Sequence, residues 1–314
     1  MEIIPKILCV SANPGVDRRI TLPSLRLGEV NRASSADPMA GGKAAHVAFA
    51  AKTLGAQVRW LAFLGGPEGE SCREGIAARG IVPIPVPIQA RTRTNLELID
   101  SGSGEVTEVL EPGPTVTPSE RLEFFTRFDG QLRDHPTVVI SGSLPGGVAS
   151  SFYAEMVGIA KSASCRVMLD TSGEALSAAL DSAPHLIKPN RQEVSALLGR
   201  EVTSVEDAVA AAKELRQRGP ETVIISLGAD GAVVVTGHIT LHGVAPKICA
   251  KSAVGSGDSF LAGWAVASAQ GKPAGDCLRT AIACGAANCL ADSPGIFPLS
   301  SVQHFFPEVQ IRQF

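Results

Sequence analysis

The stretch of this chain best suited to chemistry runs from Ser252 to Gly263, SAVGSGDSFLAG. Gly255, Ser256 and Gly257 allow a tight turn with exposed backbone N–H groups, and a helical period begins at once, from Ser259 through Ala269. Free N–H groups and the dipole at a helix N-terminus attract anions. Asp258 falls in the first turn of that helix. A carboxylate there can take a proton from a hydroxyl while adjacent N–H groups hold a transferring phosphoryl group. The plainer reading is an aspartate capping a helix after a glycine turn, which is common.

Two other segments share this character. In LIKPNRQEV, residues 186–194, Asn190 and Glu193 put two oxygen-bearing side chains on one face. They suit the waters of a magnesium ion, which keeps most of its hydration shell. A capping box, with Asn190 as cap and Glu193 reaching back, explains the same spacing. In PMAGGKAAHVAFAAKTLG, residues 38–55, Gly41 and Gly42 precede a helix starting at Lys43. Glycine backbone lets a small ligand approach closely; the alternative is a turn before a core helix, with Lys43 in solvent. His46 falls one turn into that helix, and a lone histidine is more often structural than functional.

These segments need a scaffold. Runs rich in β-branched residues predict buried strands at Ile7 to Ser11, Val58 to Leu64, Thr137 to Ser141, Arg166 to Asp170, His185 to Lys188 and Thr222 to Ser226. Between them, helical periods cover Lys43 to Leu54, Glu70 to Ala78, Ser119 to Leu132, Ser150 to Ala163, Arg191 to Leu198 and Val205 to Arg218. The alternation predicts an α/β fold, a mostly parallel sheet with helices on both faces. Such sheets bind ligands beyond the carboxyl ends of their strands. Two segments break the pattern, at about 18–35 and 86–110, and read as a small β-sheet lid, or more plainly as two surface loops with hairpins. In it, Arg91, Arg93, Asn95 and Glu97 fall on one face, and Thr92, Thr94, Leu96 and Leu98 on the other. No linker separates independent domains, so residues 1–314 read as one unit.

With 45% hydrophobic residues the chain can bury a sizeable core, and with 4% aromatics it has little surface for stacking nucleic-acid bases. A net charge of −3 with scattered basic residues gives neither a nucleic-acid groove nor a polybasic membrane patch. The cysteine count is odd, seven, and no CxxC pair occurs, so a reducing compartment, the cytoplasm, is expected. The opening MEIIPKILCVSAN is too short for a signal peptide, and no apolar run reaches the roughly 18 residues of a membrane span.

Taken in order, ANPGVD (12–17), GEVNR (28–32), AGGK (40–43), TRTNLEL (92–98), ISGSLPGGV (140–148), DTSGEAL (170–176), KPNRQE (188–193), SLGADGA (226–232) and VGSGDSFLAG (254–263) resemble the ribokinase-like carbohydrate kinases. The nearest branch is the phosphofructokinase B group. The likeness runs from about Ile7 to Asp292. It implies a ribokinase-like three-layer αβα fold with a lid, and transfer of the γ-phosphate of ATP, with Mg2+, to a ketohexose monophosphate. Fructose 1-phosphate is favoured over tagatose 6-phosphate and fructose 6-phosphate. The resemblance makes Asp258 the base, with Gly255, Ser256 and Gly257 as anion hole. Asn190 and Glu193 organise magnesium, and Lys188, Asn190, Ser226, Gly228, Gly231 and Gly257 line the nucleotide. Asp17, Gly41 and Gly42 bind sugar hydroxyls; Arg32 and Arg93, with Lys43 nearby, meet the phosphate already on the sugar, which arginine suits. A homodimer through the lid follows from the same likeness.

Three departures touch the sugar pocket. Ala44 replaces a glycine of GGKGxNVA, and His46 replaces an asparagine that normally contacts the sugar. Glu97 stands where relatives carry a basic or neutral residue, and needs a partner such as Arg91 or Arg93. The first motif reads NPGVD for NPALD, and Ala253 replaces a threonine. A kinase for an unphosphorylated sugar or nucleoside, and a sensor that has lost catalysis, stand as alternatives. Intact Asp258, Asn190 and Glu193 argue against the sensor.

Overall fold

The computed structural model describes residues 3–314. From the N-terminus come β1 (Lys6–Ser11), β2 (Gly15–Leu22), β3 (Ser35–Gly41), α1 (Lys43–Thr53), β4 (Gln57–Leu64), α2 (Gly66–Ala78) and β5 (Val82–Pro87). Then follow β6 (Arg93–Asp100), β7 (Val106–Leu110), α3 (Pro118–Leu132), β8 (Thr137–Ser141), α4 (Phe152–Ser162), β9 (Arg166–Asp170), α5 (Gly173–Leu180) and β10 (Leu186–Ile187). The C-terminal part holds α6 (Arg191–Leu198), α7 (Val205–Gln217), β11 (Thr222–Ser226), β12 (Ala232–Val235), β13 (Thr240–Val244), α8 (Ser256–Ala269), α9 (Ala274–Cys289), α10 (Leu299–Phe305) and β14 (Gln310–Gln313).

The main sheet has ten strands in the order β14-β13-β12-β11-β10-β9-β8-β1-β4-β5. From β11 to β5 all pairs are parallel; β12, β13 and β14 add an antiparallel edge. Strands buried on both faces need apolar residues at every position. In β1, Ile7 and Cys9 join one core with α1, α2, α8 and α9, while Leu8 and Val10 join the other with α3, α4, α5 and α7. The result is the expected three layers. The starts of α3 and α7 are fixed by side chains: Thr117 with Glu120 closes a capping box on α3, and Ser204 with Asp207 on α7. Helix α8 has no polar stripe, because it runs between α1 and α9 and buries every residue from Asp258 to Ala267.

The second sheet, in the order β3-β2-β6-β7, corrects the predicted lid boundaries. Of the predicted lid, residues 86–87 belong to β5 and pair with β4 in the main sheet, while the small sheet takes in Gly15 to Asp17 and, through β3, residues 36–41. Of the polar face read for it, Arg91 lies before β6 and is exposed. Asn95 and Glu97 are buried, while Leu96 and Leu98 stay partly exposed. Among the described residues no helix is long and apolar enough to cross a membrane.

Candidate active site

The carboxyl ends of β1, β8, β9 and β10 deliver Asn13, Ser141, Asp170 and Lys188 to one side of the main sheet. Above them sits the small sheet with Asp17 and Asn95, and beside them the N-terminal turns of α1 and α8. The polar atoms that meet there are not all satisfied internally. Asn13 Oδ1, Asn95 Oδ1, Ser141 Oγ, Asp170 Oδ1 and Arg93 Nε are buried without a hydrogen-bond partner. Buried polar groups nearly always have partners, so such a group of exceptions marks a place built to meet a ligand.

At its centre lies His46, buried between two carboxylates. Its Nε2 is 3.0 Å from Asp17 Oδ2, and its Nδ1 is 3.0 Å from Asp258 Oδ2. Asp17 also accepts from Asn95 Nδ2 at 2.8 Å and from the Gly42 amide at 3.2 Å. Burial alone would raise the Asp17 carboxyl, but the hydrogen bond and charge of His46, with Asn95 and Gly42, hold it below the usual carboxylate range. Burial likewise opposes a charge on His46, yet Asp17 and Asp258 together lift the imidazole from 6.5 to about 10. A group whose folded pKa is raised contributes stability fully below its unfolded value and loses it as pH rises through the folded one. The urea midpoint is therefore expected to fall between pH 6.5 and about 10, with a smaller fall in His46→Asn.

Gly41 makes this cluster possible. A Cβ on it would lie 2.0 to 2.4 Å from the three carboxylate atoms of Asp17. Next to it, Gly42 has φ 86° and turns the chain from β3 into α1, aiming its N–H at Asp17.

The cationic part lies on the other side of Asp258. Lys188 is buried with Nζ 3.1 Å from Asp170 Oδ2, and Lys43 Nζ is 3.7 Å from Asp170 Oδ1 and 3.9 Å from Glu193 Oε1. The Asp170 charge, against burial and with help from Asp258 and Glu193, raises the Lys43 ammonium above its ordinary range. Lys43 is thus an exposed side chain whose ammonium is turned toward Asp170 and Glu193. The Lys188 ammonium also borders the α8 turn, 3.4 Å from where a Cβ on Gly257 would sit. Of the amides in that turn, Ser256 N–H donates to Ala253 O at 3.1 Å, while those of Gly255, Gly257 and Asp258 have no acceptor among the described residues. Asn288 braces the turn from behind: Nδ2 donates to Val254 O at 2.7 Å, and Oδ1 accepts from Ser259 Oγ and the Gly295 amide.

The capping box is formed, with Asn190 Oδ1 accepting from Glu193 N and Glu193 Oε2 from Asn190 N, each at 2.8 Å. Glu193 Oε1 remains turned toward Lys43. Ser226 sits beside Asn190 through a bridge between their backbones, and Gly228 is exposed with open space around it. Gly231 departs from the expected lining role. It is buried, and a Cβ there would lie 1.9 Å from Gly243 O, so packing on β13 explains it.

The phosphate-facing residues are less assembled than the sequence implied. Arg93 donates to the carbonyls of Glu111 at 2.9 Å and Asn13 at 3.0 Å. Arg32 is exposed in the loop 23–34 with no side-chain partner among the described residues. Glu97 pairs with neither expected arginine. Its partner is Arg19, at 3.0 Å across the β2–β6 register, and Arg91 pairs with Glu68. Sequence reading passed over Asp170, Asn95, Asn288 and Arg19 as individual residues. For Asp170 a signal existed: an acidic residue ending a buried parallel strand.

A carboxylate at a glycine-led helix start, with lysines beside it and a small sheet above, suits phosphoryl transfer to a hydroxyl. The fold is the ribokinase-like α/β fold of sugar kinases. Phosphofructokinase-2 from Escherichia coli, solved in complex with potassium, matches it with a TM-score of 0.89 at 28% identity, over 98% of this chain and 99% of that one. In sequence, a 1-phosphofructokinase from Bacillus subtilis is 31% identical over 307 residues, 98% of this chain and 99% of its own length. A 1-phosphofructokinase from Xanthomonas campestris is 36% identical over 264 residues, 83% of each chain. Residues 6–300 match the pfkB family carbohydrate kinases. The chain belongs to that family.

Proposed function

We propose that this kinase transfers the γ-phosphate of ATP to the free primary hydroxyl of fructose 1-phosphate, with Asp258 as general base. The observation that carries the reading is the position of Asp258, buried at the first turn of α8 between His46 and the lysine-lined turn at Gly257. Its Oδ2 faces His46, which leaves Oδ1 for the hydroxyl. As the hydroxyl oxygen bonds to phosphorus, the bond from phosphorus to the ADP oxygen breaks. The proton passes to Asp258 and then to solvent. The free amides of Gly257 and Asp258, with Lys188 and Lys43, hold the charge of the moving group, and such transfer is driven mainly by positioning and electrostatics.

ATP is expected over Asn190, Ser226 and Gly228. Among the described residues no three His, Cys, Asp or Glu side chains are placed to cage an ion. Asp170 Oδ1, which lacks a hydrogen-bond partner, and Glu193 Oε1 instead fit a magnesium ion that arrives on nucleotide phosphates and keeps most of its water. When bound it neutralises phosphate charge.

The choice of fructose 1-phosphate rests on the curated relatives. Fructose 6-phosphate is the second reading, supported by the likeness to a phosphofructokinase-2 solved with that sugar. Arg32 and Arg93 are the arginines for the sugar's phosphate. Replacing either with alanine is expected to raise KM for the sugar phosphate by about 10- to 100-fold, the worth of a hydrogen bond to a charged group, with little change in KM for ATP. Unchanged kinetics in both variants would favour an unphosphorylated substrate. A homodimer through the small sheet fits the exposure of Leu27, Val30, Val109 and Leu110 on it and its adjoining loop. A cytoplasmic setting fits seven cysteines that are all free. Coupled ADP-release assays across fructose 1-phosphate, fructose 6-phosphate, tagatose 6-phosphate and free hexoses test the reading. The highest kcat/KM is expected for fructose 1-phosphate, and a flat panel with measurable ligand binding would point to a sensor instead.

A further inference from the structure

His46 is unlike an ordinary buried histidine. A core histidine needs one donor and one acceptor around it, because the neutral ring supplies one of each. Here each ring nitrogen is 3.0 Å from a carboxylate oxygen, on opposite sides of the ring. Two ionised carboxylates are both satisfied only if both nitrogens carry protons. Asp17 already accepts from Asn95 and the Gly42 amide and has no need of a proton of its own. The groups around the ring favour the cation. Asp17 faces it from β2 and Asp258 from α8; Glu97, paired with Arg19, adds negative charge from β6, and Glu108 adds more from β7. Lys43, one turn earlier on α1, opposes it, but its ammonium is turned to Asp170 and Glu193. From α2 the Cys72 thiol lies near Asp17 and donates to Gly15 O at 3.2 Å. Gly295 lies against the backbone of His46.

Resting on the assignment of Asp258 as base, we propose that His46 is a positioning residue, an imidazolium that ties Asp258 to the sugar ligand Asp17. It fixes Asp258 by one carboxylate oxygen and leaves the other oxygen aimed at the substrate hydroxyl. Both ring nitrogens are used, so His46 offers the sugar no polar atom, unlike the asparagine expected at this position. One direct sugar contact is exchanged for an ionic bridge between sugar ligand and base. The bridge needs its second proton, and the raised imidazole pKa of about 10 says where it is lost.

The first test needs no turnover. Long-range 1H–15N spectra of the full-length protein at pH 8 are expected to show one histidine with both nitrogens protonated, and that signal should vanish in His46→Asn. The other five of the six histidines identify the neutral pattern. A neutral His46 at pH 8 overturns the proposal without touching the assignment of Asp258. The second test is kinetic. His46→Asn, which keeps a polar side chain and protects against a simple folding failure, is expected to lower kcat by about 10- to 100-fold with KM for ATP unchanged. The ratio of wild-type to variant kcat should be constant from pH 6.5 to 8.5 and fall toward one as pH rises through about 10. A histidine that only fills space would leave that ratio flat throughout, which contradicts the proposal.

Discussion

Asp258→Asn is expected to lower kcat by about 10²- to 10⁴-fold, the usual contribution of a positioned general base, with ATP affinity nearly unchanged. The amide has the shape of the carboxylate and can keep its oxygen toward His46 Nδ1, 3.0 Å away in the native site. That orientation turns its NH2 to the substrate hydroxyl. The hydroxyl can then accept a hydrogen bond but has nowhere to leave its proton. The sugar-binding role expected of Asp17 and the nucleotide site proposed over Asn190 do not involve this atom, so KM values should move far less than kcat. Calorimetric ATP binding and the urea midpoint check that the variant is folded and loaded. A variant that keeps wild-type kcat would remove Asp258 from the reaction.

Gly41→Ala is expected to damage both fold and site. The backbone at Gly41 is held in register opposite Gly15, and Asp17 lies two residues along the same β2–β3 ladder. The new methyl falls 2.0 to 2.4 Å from the Asp17 carboxylate, so Asp17 must swing away. It then leaves Asn95, the Gly42 amide and His46 at once, and a buried imidazolium loses one of its two anions. Breaking a buried ion pair from one side costs about 3–5 kcal/mol. Urea unfolding should show a loss of that order with an unchanged m value, and the folded fraction should have a strongly raised KM for the sugar. Wild-type stability and kinetics would mean that the Asp17 cluster is not as drawn.

Much of this molecule can be read from its residues because local rules act on local neighbours. Thr137–Ser141, Arg166–Asp170 and Thr222–Ser226 are apolar or β-branched runs buried on both faces, and their strand limits match those read from sequence. The C-terminal third was harder. In α9 ten of sixteen residues are buried, many of them small, and the helix packs against both α8 and α10, which blurs its apolar face. In β5, where Pro83, Pro85 and Pro87 hide a strand that was not expected, the strand lies at the sheet edge, where missing N–H groups cost nothing.

The site divides in the same way. Helix-start residues such as Gly255, Asp258, Asn190 and Glu193 carry their meaning within a few positions. His46 does not, because its partners lie 29 and 212 residues away in sequence. Nothing in the spacing of GGKAAHVA shows that a carboxylate stands on each side of the ring. The pairing of Glu97 escaped for a related reason: its partner Arg19 is a neighbour across a parallel ladder, not along the chain.

The most direct measurement is 31P NMR of the product formed from ATP and fructose 1-phosphate. A second phosphomonoester signal coupled to the C6 methylene protons, growing in step with ADP and absent with Asp258→Asn, is the expected result. ADP appearing with inorganic phosphate alone, the sugar phosphate unchanged, would contradict it.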